Sequence, residues 1–291
     1  MLAWACIAPH GGVLIPELCE GPPEMSGATR DAMQELGRRC RAWSPETLIV
    51  LTPHGIAIER HACVSVARVA FGEVPGAGGA SLSGGLEVDV ELAEAISAAA
   101  SERAVRVVRA AYDPDGVPVE VFPLDFGSLI PLYYLCDGAR SPRLVVVCPA
   151  RDLSRRELVD FGRAVVEGAD RVGRRIGIVC SADQGHGHAA DGPYGLSPHS
   201  PGYDRAYCRA VRDGDLGRLM SWRNDWIEAA MPDSYWQTLI LHGALTVTPL
   251  EAELLSYEAP TYFGMACAAF APPPAPSPER KGVSGRGRIE V

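Results

Sequence analysis

The chain has 291 residues, of which 47% are hydrophobic and 22% charged, and its formal net charge is −9. This length suffices for one large α/β domain or two small ones, each with a substantial core. The acidic balance argues against a nucleic-acid scaffold, because phosphate backbones are bound by basic surfaces. No stretch approaches the roughly 20 apolar residues that span a bilayer, and the N-terminus lacks the basic segment of a signal peptide. We therefore expect a cytoplasmic protein that binds neither membrane nor nucleic acid.

Nine cysteines are spread along the chain, and none forms a CxxC pair. Most lie in apolar runs, such as Cys148 in LVVVCPA and Cys180 in IGIVCSA. An odd number of cysteines at wide spacing is typical of buried reduced thiols in a cytosolic protein. We therefore predict free thiols and not a disulfide framework.

Short β-rich runs alternate with helical patterns along the chain. This alternation predicts an α/β fold with a single domain, in which a central, mostly parallel or mixed sheet has helices on both faces. The predicted strands are Leu2–Ala8, Thr47–Leu51, Ala62–Val69, Val105–Ala111, Arg143–Cys148 and Ile176–Cys180. The predicted helices are Pro23–Arg41, Val88–Glu102, Ser128–Leu135, Ser154–Val172 and Pro201–Arg212.

Three further segments have distinctive compositions. Ser154 is followed three residues later by Glu157, which is typical of a capping box at a helix N-terminus. The glycine-rich segment 72–85 predicts a mobile loop. After Phe270 the chain becomes rich in Pro, Gly, Ser and Arg, so we predict one domain over residues 1–270 and a disordered tail over residues 271–291.

Two histidines occupy equivalent sequence contexts. His10 in AWACIAPHGG and His54 in LIVLTPHGI each follow a hydrophobic strand and a proline, and each precedes a glycine. A side chain just past the C-terminal end of a strand points into the crevice where open α/β sheets bind ligands. The glycine lets backbone or ligand approach closely. One such histidine alone more often only hydrogen-bonds within its loop, but the repeated pattern favours a shared metal ion.

A third strand, Ile176–Cys180, leads into the loop SADQGHGHAADGPYG. This loop places His186 and His188 at the same edge of the predicted sheet. An imidazole beside a metal ion can carry protons, because its ordinary pKa lies near neutrality. A polar, turn-rich loop without a catalytic role is equally compatible with this sequence.

Two neutral imidazoles require an anionic third ligand to complete the facial triad of non-haem Fe(II) oxygenases, which leaves positions open for substrate and O₂. The same ligand set also suits Zn²⁺. Asp233 precedes an apolar helix starting near Ser234, and it could be only the N-cap of that helix. Glu258 lies in a late strand and could be a structural partner for a basic residue. The residues alone leave Asp233, Glu251, Glu253 and Glu258 open as candidates.

Six motifs occur in a consistent order along most of residues 1–268. They are APHGG at 8–12, TPHG at 52–55, LDFGSLIPLYYL at 124–135, SADQGHGHAADGPYG at 181–195, DSYWQTLILHGAL at 233–245 and YEAPTYFGMACA at 257–268. In this order and spacing the chain resembles the class III extradiol ring-cleavage dioxygenase superfamily, catalytic LigB-subunit type, which includes the Memo-like proteins.

The resemblance implies a role for each matching residue. His10 and His54 match the two metal-ligand histidines, and His186 matches the active-site acid–base histidine. Asp233 falls where dioxygenase members have a ligating Glu and Memo-like members a Cys, which selects it as the third ligand, with Glu258 as the fallback. The implied cofactor is Fe(II), with Zn²⁺ as the alternative. The implied partners are a small aromatic substrate and O₂, and a homodimer is plausible in this superfamily.

Two departures from the family pattern bear on the chemistry. Phe126 stands where the family commonly has a histidine that steadies bound oxygen or substrate, and a phenyl ring cannot donate a hydrogen bond. Asp233 is one methylene shorter than Glu, so the start of its helix must approach the metal more closely.

The sequence thus predicts a non-haem Fe(II)-dependent extradiol-type dioxygenase that opens a catechol or 2-aminophenol ring. The alternatives are a Memo-like metal-binding protein without ring-cleaving activity and a Zn-dependent hydrolase. We expect His188, Tyr194 and His199 to contact substrate substituents, and Asp125 to orient a neighbour of the metal.

Overall fold

A computed structural model describes residues 1–18, 23–111, 120–136 and 141–272. Within them the α helices are α1 (Gly27–Trp43), α2 (Val90–Glu102), α3 (Phe126–Leu135), α4 (Arg155–Arg171), α5 (Ser200–Arg212), α6 (Asn224–Ala230) and α7 (Tyr235–Val247). The strands are β1 (Leu2–Ala8), β2 (Thr47–Leu51), β3 (Ala62–Ser65), β4 (Val69–Pro75), β5 (Ser81–Glu87), β6 (Val107–Ala110), β7 (Val121–Pro123), β8 (Arg143–Pro149), β9 (Ile176–Ser181), β10 (Glu251–Glu258) and β11 (Met265–Ala271).

Eight strands form one mixed sheet in the order β10-β11-β1-β9-β2-β8-β3-β6, and a smaller sheet has the order β5-β4-β7. The central strands β1, β9, β2 and β8 run parallel to one another. Strands β10 and β11 continue the sheet antiparallel at one edge. The predicted α/β class with a mixed sheet is confirmed.

Helices cover both faces of the large sheet because its central strands are apolar on both sides. Along β2, Ile49 and Leu51 enter one core, whereas Leu48 and Val50 enter the other. Helices α2, α4, α5 and α7 contribute to the first core, and α1 and α3 contribute to the second. Near-continuous hydrophobic runs of this kind are typical of parallel strands buried on both faces.

The strand order determines where the functional segments meet. Strand β9 lies between β1 and β2, and Cys180 is the register partner of both Ile7 and Leu51. Because the three strands are parallel, their C-terminal ends lie side by side at one edge of the sheet. The loops that carry His10, His54 and His186 therefore start next to each other.

Most predicted elements are confirmed, with shifts of a few residues at their ends. The predicted strand over 62–69 is divided between β3 and β4. The capping box at Ser154 is present. Free thiols are found at Cys6, Cys63, Cys148, Cys180, Cys208 and Cys267. Strands β7 and β11 and the helix α6 were not predicted. Of the predicted tail only residues 271 and 272 lie in the described segments, and Ala271 is the last residue of β11.

The predicted mobile loop over Gly72–Gly85 is wrong. This segment belongs to an antiparallel hairpin of β4 and β5, in which Gly72 is the register partner of Gly84. A Cβ atom on Gly72 would overlap the carbonyl oxygen of Leu124. Glycine is therefore required here for close packing between segments, and its presence does not indicate mobility.

Within the described residues, every helix is too short or too polar to cross a lipid bilayer.

Helices α4 and α7 cross at glycines, which generates a stability prediction. A Cβ on Gly162 would overlap the carbonyl oxygen of Ile240 on the facing helix. We expect Gly162→Ala to push the helices apart and to lower the free energy of unfolding by about 2 kcal/mol, measured by urea denaturation. The control is Gly202→Ala in α5, where a Cβ would meet nothing within 4 Å. The control should not be destabilised, and equal losses in the two variants would contradict the packing argument.

Candidate metal centre

Three side-chain donors converge where the three parallel strands end. Nε2 of His10 lies 3.0 Å from Nε2 of His54 and 3.2 Å from Oδ2 of Asp233. Nε2 of His54 lies 3.1 Å from the same Oδ2. His10 and Asp233 are buried, and His54 is partly exposed. The three residues form a group that could hold a metal ion.

Asp233 is fixed by two hydrogen bonds with the loop after β9, one through its side chain and one through its backbone. The N–H of Asp183 donates to Oδ1 of Asp233 at 2.9 Å, and the N–H of Asp233 donates to the carbonyl of Asp183 at 3.3 Å. The N-cap of α7 is Ser234, with no capping hydrogen bond from its side chain. Asp233 is therefore not a mere N-cap, and its Oδ2 faces the two imidazoles. The pairing with residue 183 brings the short Asp side chain close enough to reach them.

The tautomer of His10 follows from its contact with Ser181. The hydroxyl of Ser181 donates its one hydrogen to the carbonyl of Gly127. Its oxygen lies 2.8 Å from Nδ1 of His10, so it can only accept there. Nδ1 of His10 therefore carries a hydrogen, and Nε2 presents a lone pair or a second proton to Asp233. Metal-ligating histidines are usually oriented in this way, by a hydrogen bond from the ring nitrogen away from the ion.

A second carboxylate, Asp183, adds negative charge beside His10. It is 3% exposed, accepts the backbone N–H of His10 at 3.1 Å, and its Oδ2 lies 3.5 Å from Nε2 of His10. Nothing in the sequence pattern singles it out, although it lies in the SADQGH motif two residues after β9. Burial raises the pKa of the Asp183 carboxyl to about 7, although the charge of His10 opposes the rise.

The two carboxylates create a site for a cation at Nε2 of His10. Burial by itself lowers the pKa of this imidazole, but Asp183 and Asp233 outweigh it and raise that pKa to about 9. Burial likewise disfavours the charged form of Asp233, yet the charge of His10 and hydrogen bonds from both histidines hold its pKa well below the usual range. The buried negative charge therefore requires a proton or a metal ion at this position.

The loop of His54 is held through a chain of hydrogen bonds. The backbone N–H of His54 donates to Oγ1 of Thr52 at 3.3 Å, and that hydroxyl donates to Oδ1 of Asp125 at 2.7 Å. Asp125 also caps α3 by accepting the N–H of Ser128. This arrangement agrees with the expectation that Asp125 orients a neighbour of the metal site.

Phe126 lies against the rings of both histidines. Its ring centroid is 4.3 Å from that of His54 and 5.6 Å from that of His10. The residue is 40% exposed, so part of it faces solvent. A phenyl ring, which offers no hydrogen-bond donor, thus lies against both imidazoles.

His186 lies beside the three donors but is not one of them. Its Nε2 is 3.7 Å from Oδ2 of Asp233, and its ring stacks on Phe263 at a centroid distance of 5.5 Å. Its Nδ1 is buried and has no hydrogen-bond partner among the described residues. Burial lowers the pKa of the imidazole, and Asp233 opposes part of this effect.

A cavity of about 410 Å³ opens from the donors to solvent. An adjoining cavity of about 620 Å³ shares four of its lining residues, including the exposed Arg151, whose guanidinium lies 4.7 Å from the ring centroid of Trp236. The smaller cavity is lined by His54, Arg151, His186, Tyr194, Ile227, Glu228, Met231, Pro232, Asp233 and Trp236. Volumes of this size are typical of small-molecule sites.

The residues expected around the substrate are only partly brought together. Tyr194 lines the cavity. His188 does not, because its Nε2 is hydrogen-bonded to the buried Asp204 at 2.8 Å. His199 stands at the N-terminus of α5 and is also absent from the cavity lining.

The fallback ligand Glu258 is occupied elsewhere. Its carboxylate accepts the backbone N–H of Thr29 at 2.7 Å and the Thr29 hydroxyl at 2.6 Å, at the start of α1. It is not part of the group of three donors. Glu253 is bound to Arg39. Among the four candidate carboxylates, only Asp233 lies between the histidines.

Comparison with known proteins identifies the family to which this chain belongs. Residues 5–270 match the family described as the catalytic LigB subunit of aromatic ring-opening dioxygenase. The chain belongs to this family.

Two similar proteins have no activity in their names. "Protein CA_C1420" of Clostridium acetobutylicum is 25% identical over 253 residues, which are 87% of this chain but 54% of that protein. The chain thus spans about half the length of this curated relative. A crystal structure of the uncharacterized protein JW3007 from Escherichia coli K12 covers 92% of this chain and 99% of its own, at 14% identity and a TM-score of 0.56. This second likeness shows the fold alone.

The Ser181 contact generates a prediction about metal affinity. Ser181→Ala removes the acceptor that holds Nδ1–H of His10, so we expect affinity for divalent metal to fall about 10- to 100-fold. Competition with a chromophoric chelator would measure it. The matched control is Ser97→Ala, which removes a buried hydroxyl bonded to Ala93 within α2. Unchanged affinity in Ser181→Ala, or an equal loss in the control, would contradict the assigned tautomer.

Proposed function

We propose that this protein is a non-haem Fe(II)-dependent extradiol-type dioxygenase that opens a catechol or 2-aminophenol ring with O₂. In this proposal His10, His54 and Asp233 bind the iron, and His186 is the acid–base residue. Membership of the LigB family supports the reaction class. The observation that carries the proposal for this chain is the compact triangle of three donors beside an open cavity.

The donor set is consistent with one bound ion. The three donor atoms lie 3.0, 3.1 and 3.2 Å apart, close enough to bind the same ion. Two histidines and one carboxylate are the ligand set of non-haem Fe(II) oxygenases, which leaves positions open for substrate and O₂. The same set also suits a Zn²⁺ hydrolase, so the family match is what favours iron.

The residues present fit such an ion. Nε2 of His10 is made available by the hydrogen bond at Nδ1, and Oδ2 of Asp233 supplies one negative charge. When bound, the ion would allow electrons to pass from the aromatic substrate, which is oxidised, to O₂, which is reduced.

The chain's own residues would bind the aromatic substrate and transfer protons. The partly exposed His54 lines the cavity, where its imidazole could contact a flat aromatic substrate, and the ring of Phe126 packs against that imidazole. On the other side of the donors, His186 is held by the stacked ring of Phe263, with its Nε2 directed at the centre. From there the imidazole can accept a proton from a substrate hydroxyl and return it to oxygen as the ring opens.

Phe126 favours one competing function, a Memo-like metal-binding protein without ring-cleaving activity. Its ring lies 4.3 Å from the His54 ring and offers no hydrogen bond to bound oxygen. Metal binding without O₂ consumption would distinguish this alternative.

The proposal is tested by loading the purified protein with Fe(II) anaerobically and then measuring O₂ uptake and ring-opened product with catechols and 2-aminophenols. We expect His10→Ala to lose the iron. We expect His186→Gln to retain it while turnover falls by about 100-fold or more, because a positioned acid–base group contributes that much. His199→Gln, outside the cavity, is the control. If the iron-bound protein shows neither O₂ uptake nor ring-opened product with a broad panel of substrates, the proposal is refuted.

Phe126→His should restore a hydrogen-bond donor next to the metal ligands. We expect faster ring opening at unchanged iron content, with the gain in kcat and not in KM, because the donor acts on bound oxygen or substrate. Steady-state O₂ uptake at saturating substrate measures it, with Phe126→Tyr as a second donor-bearing variant. A fall in kcat in both variants would show that the phenyl ring itself is needed.

A further inference from the structure

The loop that carries His186 is held by a buried carboxylate outside the metal centre. Asp204, on α5, is 1% exposed. Its Oδ1 accepts the backbone N–H of Gly185 at 2.8 Å, and its Oδ2 lies 2.8 Å from Nε2 of His188. The same Oδ2 accepts the hydroxyl of Tyr257, on β10, at 2.6 Å. One carboxylate thus joins α5, the loop after β9 and the edge strand β10.

The two contacts with the loop lie on either side of His186. Gly185 is the residue before it, and His188 is the second residue after it. Because Asp204 binds both, it fixes the loop to α5 on either side of His186, while the N–H of His186 itself donates to the carbonyl of Ala230 at 3.1 Å. Ser200 of the same helix reinforces this, since its hydroxyl oxygen accepts the N–H of Gly187 at 2.9 Å.

Close packing around Asp204 restricts the position of its carboxylate. A Cβ on Gly185 would lie 3.0 Å from Oδ1 of Asp204, and a Cβ on Gly264 would overlap Oδ2. The carboxylate is therefore enclosed between backbone segments that lack side chains. Three donors satisfy this buried carboxylate, two in the loop after β9 and one on β10.

We infer that Asp204 is a positioning residue for His186, acting through its hydrogen bonds to Gly185 and His188. The inference rests on the proposed role of His186. The stacked contact with Phe263 holds only the ring of His186, whereas its distance to the metal centre depends on where the backbone lies. A displacement of about 1 Å at a reacting group can cost about 100-fold in rate. His188 is thus an anchor of the loop, which explains why its ring lies away from the cavity.

Two matched variants separate positioning from general stability. His188→Phe and Tyr257→Phe each keep a ring and each remove one donor to Oδ2 of Asp204, but only His188 belongs to the loop. A purely structural role for Asp204 predicts similar effects of the two changes. Positioning predicts an effect on His186 only from the change at His188.

The readouts are hydrogen exchange of the amides of residues 185–188, kcat and KM for O₂ uptake, and metal content. For His188→Phe we expect exchange to speed up at least about tenfold and kcat to fall about 10- to 100-fold, with KM and metal content unchanged. For Tyr257→Phe we expect none of these changes. His188→Gln keeps a donor near the position of Nε2, so it should return exchange and kcat close to those of the wild type. It also keeps the test available if the Phe variant does not fold.

Equal changes in the two Phe variants, or no change in loop exchange in His188→Phe, would overturn the inference. Hydrogen exchange does not depend on turnover. A wild-type protein that consumes no O₂ would therefore refute the proposed function, while loop exchange would still decide whether Asp204 fixes the backbone at His186.

Discussion

The buried carboxylate of Asp233 is the interaction on which the rest of the site depends. It is 3% exposed, and an unpaired charge at that depth is very unfavourable. Its Oδ2 lies within 3.7 Å of a ring nitrogen of His10, His54 and His186. Each imidazole follows a different parallel strand, so the three can surround one oxygen only because β9 lies between β1 and β2. The strand order therefore explains why three imidazoles surround the one buried carboxylate.

Much of the fold and part of the site could be predicted from the sequence. Hydrophobic runs marked the central strands, because strands buried on both faces carry few polar residues. The repeated strand-Pro-His-Gly pattern pointed to His10 and His54, because it places both at the same sheet edge. The hairpin over 72–85 is not predicted, because sequence alone does not distinguish a glycine required for close packing from a glycine in a mobile loop. Its required role becomes visible only when the neighbouring Leu124 is in place.

The contacts that hold the site in place were less accessible from sequence. Asp183 and Asp204 are acidic residues among 36 in the chain, and nothing in their local pattern separates them from surface residues. Their importance comes from tertiary burial, since both carboxylates accept hydrogen bonds from backbone N–H groups of other segments. The expectation that His188 faces the substrate is wrong because it, too, depends on tertiary contacts. Its spacing from His186 is visible in the sequence, but the direction of its ring depends on α5.

The distance along the chain between the candidate ligands has a consequence for folding. His10 and Asp233 are separated by 223 residues, and the parallel pairing of β1 with β9 also joins distant parts of the chain. Contacts of such long sequence separation form late and slowly, because the loop they close must be ordered first. A divalent ion that binds only the assembled triangle adds its binding free energy to native stability by mass action. Metal supply in the cell would then influence how long this protein survives.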